Sequence, residues 1–202
     1  MNKDELKKLE FFLENMEKKE TLLLHSCCGP CSSYVLSYLN KYFDITIVYY
    51  NPNIHPKKEY EKRFNEQKKV IKEMFNNEIK IMECSYDPSD YFDKVKGYEK
   101  EKEGGKRCHI CYELRMEEVA RLAKKYNFSY FTTTLSVSPY KDSKILNEIG
   151  KKLSEKYKVN YLCSDFKKHD GYKKSIEYSK KYNLYRQNYC GCIYSLNIEN
   201  KA

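Results

Sequence analysis

The apolar positions of this chain alternate between two rhythms. Residues 3–19 place Leu6, Leu9, Phe12, Leu13 and Met16 at helical spacing, which predicts an N-terminal helix lying on a sheet. Thr21–Leu24 is a short apolar run and predicts a first strand, about Thr21–His25. Val35, Leu36 and Leu39, with Tyr38 and Tyr42 beside them, predict the helix that follows. Asp44–Tyr50 has the composition of a buried strand and stops at the turn signal Asn51-Pro52-Asn53. Tyr60, Phe64, Val70, Ile71 and Met74 form the stripe of a charged helix over 57–75, and Ile79–Cys84 reads as a third strand.

The pattern then breaks at Asp87-Pro88-Ser89, and 97–105 is charged and glycine-rich. Residues 85–107 are therefore expected to be a loop excursion from the sheet. A helix over about 111–126 turns Leu114, Val119, Leu122 and Ala123 inward. Tyr130–Leu135 predicts a fourth strand, 142–157 a helix, Val159–Cys163 a short fifth strand and 171–182 a last helix. Residues 183–202 form a tail. Strands that alternate with helices predict one α/β domain over 1–202. Its sheet is five-stranded and mainly parallel, with helices on both faces, in the Rossmann-like or nucleotide-hydrolase manner. In such sheets ligands collect at the carboxyl ends of the strands.

At 202 residues the chain is long enough to bury a sizeable core. Its net charge of +9 agrees with a polyanionic partner such as RNA without requiring one. The N-terminus begins a charged amphipathic stretch rather than a signal peptide, and no run of about 20 apolar residues exists to span a membrane. A cytoplasmic location is the expectation. There, clustered cysteines point to metal or redox chemistry rather than structural disulfides.

Nine cysteines are present, and seven fall in three short motifs: Cys27, Cys28 and Cys31; Cys108 and Cys111; Cys190 and Cys192. The first motif lies between a strand and a helix, where backbone N–H groups favour a thiolate. Seven thiolates exceed what one tetrahedral metal or one cluster held by four cysteines takes. The surplus fits a cluster with a separate metal, or one metal site with a redox pair. Cys84 and Cys163 stand alone and read as small buried hydrophobes. His25 is placed to orient the cysteine loop by a hydrogen bond, and His109, inside its Cys-x-x-Cys, is expected to face solvent. No Gly-x-x-x-x-Gly-Lys-Ser, Gly-x-Gly-x-x-Gly or Ser/His/Asp signature occurs, so no nucleotide cofactor is expected.

Three classes compete on these residues. A zinc-stabilised RNA-binding module needs only the metal site. A thiol–disulfide oxidoreductase would use Cys28 and Cys31, since Cys-Gly-Pro-Cys after a strand matches the thioredoxin tetrapeptide. A nucleotide-dependent tRNA sulfur-transfer enzyme would share the framework, but its pyrophosphate loop is missing.

Six segments decide among them: His25–Ser32, Tyr49–Pro56, Gly105–Cys111, Thr132–Leu135 with Ser138–Lys141, Asp165–Lys168, and Tyr185–Cys192. In this order they resemble the cobalamin-independent epoxyqueuosine reductase family (QueH-type) from about Leu22 to Leu196. The resemblance implies reduction of the epoxide of epoxyqueuosine, at the wobble position of a tRNA anticodon, to give queuosine. It implies a [4Fe-4S] cluster with a second mononuclear metal, iron or zinc, held among Cys27, Cys28, Cys31, Cys108, Cys111, Cys190 and Cys192. An external electron donor is implied as well. Asp165 is a candidate for proton delivery or for a weak metal ligand. Lys141, Lys167, Lys168 and Arg186 are expected to hold phosphates, and Tyr140 to stack on a loop base.

Overall fold

A computed structural model of the protein describes residues 3–199. Five parallel strands form one sheet in the order β3-β2-β1-β4-β5. They are β1 Glu20–His25, β2 Phe43–Tyr49, β3 Lys80–Glu83, β4 Tyr130–Thr133 and β5 Asn160–Tyr161. The central strand shows why both faces are covered. Leu22 and Leu24 point into one core with Leu9 and Leu13 of α1 (Lys3–Glu14) and Val35, Leu36 and Leu39 of α2 (Gly29–Leu39). The α3 helix (Lys57–Phe75) adds Val70 and Ile71 to that core. Leu23 points the other way, against Met116, Val119 and Ala123 of α5 (Lys106–Lys125) and Leu146 and Leu153 of α6 (Ser143–Tyr157). All three leucines are fully buried, as a strand covered on both faces requires.

The chain reverses direction across the sheet between β1 and β4. The loop after β1 and the loop after β4 therefore face one another at the switch point, where doubly wound sheets place ligands.

Several boundaries differ from expectation. Thr134 and Leu135 leave the fourth strand early and enter a 3-10 turn, Thr134–Val137, because Thr133 Oγ1 caps it by accepting from Leu135 N–H at 3.1 Å. The 85–107 segment carries a short helix, α4 (Ser89–Val95), whose Tyr91 and Val95 are buried. Helix α5 begins at Lys106, five residues before the predicted start, so Cys108 and Cys111 sit on its first turns. The fifth strand keeps only Asn160 and Tyr161. After α7 (Gly171–Lys181) the tail carries a further helix, α8 (Ile193–Glu199); residues 200–202 of that tail lie outside the described residues. Among the described residues no helix is long and apolar enough to cross a membrane.

Candidate metal centre

The first cysteine loop is pinned from both sides. Ser26 N–H donates to Val48 carbonyl at 3.0 Å, and Asn51 Nδ2 donates to Ser26 carbonyl at 2.9 Å. Ser26 Oγ donates to Gln67 of α3 at 2.6 Å. From the other side, Thr134 Oγ1 accepts from Cys27 N–H at 3.4 Å, across the switch point. His25 is fully buried between Thr133 Oγ1 at 2.9 Å and the Tyr50 carbonyl at 3.2 Å. Burial, reinforced by the Arg115 charge, lowers its pKa to about 4, so the ring is neutral.

Cys28 is the N-cap of α2 and Pro30 lies in its first turn, where a missing N–H costs nothing. Gly29 permits a close crossing: a Cβ there would lie 2.7 Å from the Glu66 carbonyl of α3. This geometry brings the sulfurs of Cys27, Cys28 and Cys31 within 4.8 Å of one another. Hydrogen bonds from the Cys28 and Cys31 thiols hold Cys27 well below the usual thiol range. The same coupling, with burial, pushes Cys31 well above it. Three thiols this close ionise together only around a cation, and soft sulfur donors suit zinc, iron or an iron–sulfur cluster.

The other four motif cysteines approach the same region. Cys111 and Cys192 lie in one buried cluster with Tyr91, whose hydroxyl is 3.0 Å from Cys192 Sγ. Gly104 N–H donates to Cys108 Sγ at 3.2 Å. Burial raises Cys111 to about 12. Cys190 and Cys192 are set by a strap after α7 that is clamped onto α3. Arg63 donates to the carbonyls of Cys190 at 3.0 Å and Tyr189 at 3.3 Å, and Glu66 accepts from Tyr185 N–H at 3.0 Å. Gly191 sits at φ +102° beside the Arg63 guanidinium, a turn that favours glycine. Among the described residues only Cys27, Cys28 and Cys31 form a tight sulfur triad; the remaining four are neighbours rather than a closed set.

A cleft of about 560 Å³ opens over the triad. Cys27, Cys31 and Cys190 line it, with Arg63, Arg115, Lys141 and Arg186 against a single carboxylate, Glu103. Burial alone would lower the Lys141 pKa, but the Cys190 and Cys27 charges outweigh it and raise it, so the ammonium stays charged. Tyr140 stands at the rim, 78 % exposed. Arg186 is braced on α7 by the Ser175 carbonyl and Ser179 Oγ, both at 3.2 Å.

Asp165 and Lys167 are placed differently. Asp165 is buried and ion-paired with Lys167 Nζ at 3.0 Å, and neither lines the cleft. Lys167 donates inward to the carbonyls of Ser136 at 3.2 Å and Lys141 at 3.1 Å, so the pair supports the wall that carries Lys141. Lys168 is exposed outside the cleft. His109 is half-buried on α5 with Nε2 shielded from water, not in a solvent-facing loop. Cys84 is half-buried against the second core, and burial raises it to about 11.

Three residues of the site escaped the sequence reading. Gln187 donates through Nε2 to Cys28 Sγ at 3.0 Å. Arg63 and Arg115 are both 2 % exposed. Gln187 stood inside a recognisable segment with no periodicity to mark it, and an arginine on a charged helix reads as a solvated face.

A parallel sheet with a thiol triad at its switch point, opening into a basic cleft, defines an α/β protein with a candidate metal centre. The family profile described as epoxyqueuosine reductase QueH matches residues 22–198, and the chain belongs to that family. It is similar to epoxyqueuosine reductase QueH of Staphylococcus aureus, 43 % identical over 196 residues covering 94 % of this chain and 81 % of the relative. The Streptococcus pyogenes protein of that name is 40 % identical over 190 residues, covering 92 % and 74 %. That of Thermotoga maritima is 37 % identical over 177 residues, covering 87 % and 90 %. Among solved structures, the U34-tRNA thiolase NcsA from Methanococcus maripaludis with its [4Fe-4S] cluster shares the fold. Its TM-score is 0.51 at 15 % identity, over 96 % of this chain and 67 % of that one.

Proposed function

We propose that this protein is a cytoplasmic epoxyqueuosine reductase acting on the modified wobble nucleotide of a tRNA anticodon loop. The observation that carries this reading is family membership over residues 22–198 in a chain whose thiol triad opens into a basic cleft. The reaction takes two electrons and two protons, breaks both C–O bonds of the epoxide, and releases water as the ring becomes an alkene. An iron–sulfur cluster, with a second mononuclear metal, would supply the electrons from an external donor and a Lewis-acidic site for the oxygen. Cys27, Cys28 and Cys31 would hold one centre; Cys108, Cys111, Cys190 and Cys192 would complete it and hold the other.

The chain's own residues do the rest. Arg186 and Lys141 hold backbone phosphate at the cleft, and Tyr140 stacks on a base at the rim. Lys168 extends the phosphate track outside it. Lys141, in the same cleft as Cys27 and Cys190, is also placed to give a proton to the departing oxygen. Asp165 and Lys167 act on it by fixing the Ser136–Lys141 wall. Tyr172 and Tyr189 line the cleft below that rim.

The test is direct. Anaerobically reconstituted protein, a strong reductant and tRNA bearing epoxyqueuosine are combined, and digested nucleosides are resolved by mass. Loss of one oxygen to give queuosine is expected. A metal-loaded protein that leaves epoxyqueuosine unchanged contradicts the reading. Reversible oxidation of Cys28 and Cys31 with no metal bound would favour the thiol oxidoreductase instead.

A further inference from the structure

Among the described residues Arg115 is a buried cation with no carboxylate ion pair. It lies one helical turn after Cys111 on α5, is 2 % exposed, and lines the inner wall of the cleft. Its Nε donates to the Cys111 carbonyl at 3.1 Å, while Nη2, shielded from water, has no partner. The contrast is Arg63, equally buried, whose Nε reaches Glu59 at 2.7 Å. Three cysteines lie close to it: Cys27 and Cys190 line the same cleft, and Cys111 is one turn back on α5. Those three cysteines come from all three motifs, so Arg115 stands where the motifs converge.

An isolated charge taken out of water is costly unless an opposite charge meets it. Among the described residues no carboxylate pairs with Nη2, and the cleft wall that Arg115 shares carries the sulfurs of Cys27, Cys31 and Cys190. The cost is recovered only when the sulfurs ionise around a metal group and its net negative charge faces the open Nη2. Guanidinium suits the position better than ammonium, because one edge of its fork is held by the Cys111 carbonyl while Nη2 is left open.

We propose that Arg115 is the counter-cation of the thiolate-held centre and raises its reduction potential. This rests on the reading of the cysteines as metal-holding. A thiolate-ligated group becomes more negative on reduction, so a fixed positive charge beside it favours the reduced form. Arg115 is a positioning residue, not a catalytic one, and its effect appears in the potential whether or not substrate is present.

The experiment compares wild-type protein, Arg115→Met and Arg115→Lys, all reconstituted anaerobically. Iron and sulfide content, a redox titration of the visible absorbance and release of metal to a chelator are measured. Arg115→Met is expected to have a more negative midpoint and to lose metal about tenfold faster. Arg115→Lys, which keeps the charge and gives up the fork, should stay close to wild type in potential. A fully loaded Arg115→Met with the wild-type midpoint overturns the proposal. If Arg115→Met folds but does not load, Arg115→Lys decides. Loading at the wild-type potential supports the charge role, and equal failure shows a structural role and overturns it. If wild-type protein carries only zinc, the iron reading fails separately, and chelator release of zinc carries the test. Faster loss from Arg115→Met but not from Arg115→Lys supports the proposal, and equal loss from all three overturns it.

Discussion

Gly29 is the position where the packing of two helices is transmitted most directly to the sulfurs. A Cβ at residue 29 would lie 2.7 Å from the Glu66 carbonyl oxygen, 2.9 Å from its carbon and 3.2 Å from Val70 Cγ2. The first two are backbone atoms in the middle of α3 and cannot swing aside. Gly29→Ala therefore forces α2 from α3 by about 0.7 Å, the gap between 2.7 Å and the 3.4 Å where ordinary contact begins. Overpacking of this kind costs about 1–3 kcal/mol, and the stiffer unfolded chain returns about 0.4–1 kcal/mol. The net loss of about 1–2 kcal/mol lowers Tm by about 2–8 °C in a domain of this size. Cys28 and Cys31 flank the displaced residue, so the triad widens with it. Thermal denaturation followed by far-UV circular dichroism, with iron content on the same preparation, reads both effects. Wild-type Tm and full metal content in Gly29→Ala would refute the close-crossing argument.

Other perturbations separate the remaining parts of the site. Gln187→Leu removes the N–H donated to Cys28 and should release metal about tenfold faster while the fold is retained, measured by chelator competition. Lys167→Met strands the buried Asp165 carboxylate and should cost about 3 kcal/mol in urea unfolding, whereas adding Asp165→Asn should restore most of that loss. Lys168→Glu lies outside the cleft and should weaken tRNA binding in a filter or gel assay, with the salt slope reduced by about one and iron content unchanged. Removal of metal from wild-type protein should lower Tm, because the three crowded sulfurs of Cys27, Cys28 and Cys31 lose the cation around which they are held together.

Much of this architecture was legible before any coordinates. Leu22–Leu24 is a continuous apolar run and Ile45–Val48 is interrupted only by Thr46, the pattern of short strands covered on both faces. The three cysteine motifs announced themselves by spacing, and the first was legible as a loop at the carboxyl edge of a parallel sheet; the approach of the other two rests on tertiary contacts. Boundaries were less legible where polar residues carry the structure. Helix α5 starts ahead of its apolar stripe because Lys106 and Arg107 supply its first turn, and Arg107 is tied to the Glu99 and Glu101 carbonyls. Thr134 has strand propensity, yet the hydroxyl of Thr133 diverts the chain into a turn.

The site's electrostatics were the least legible part. Arg63 and Arg115 sit in sequences full of charged neighbours, and nothing in the local pattern says that these two face inward. Asp165 and Lys167 stand two residues apart and looked like two functional groups; in the fold they neutralise one another behind the wall. Tertiary contacts from α3, α5 and the strap decide these matters, and no window of sequence contains them all.

The central claim is that the gathered cysteines hold a redox centre that delivers electrons to an epoxide. Prereduced protein, freed of excess reductant under strict anaerobiosis, is mixed with tRNA bearing epoxyqueuosine while visible absorbance and nucleoside composition are followed together. Reoxidation of an iron–sulfur absorbance in step with the appearance of queuosine is the predicted result. Queuosine formed by protein that contains zinc alone, or cluster oxidation no faster with epoxyqueuosine-tRNA than with unmodified tRNA, would contradict it.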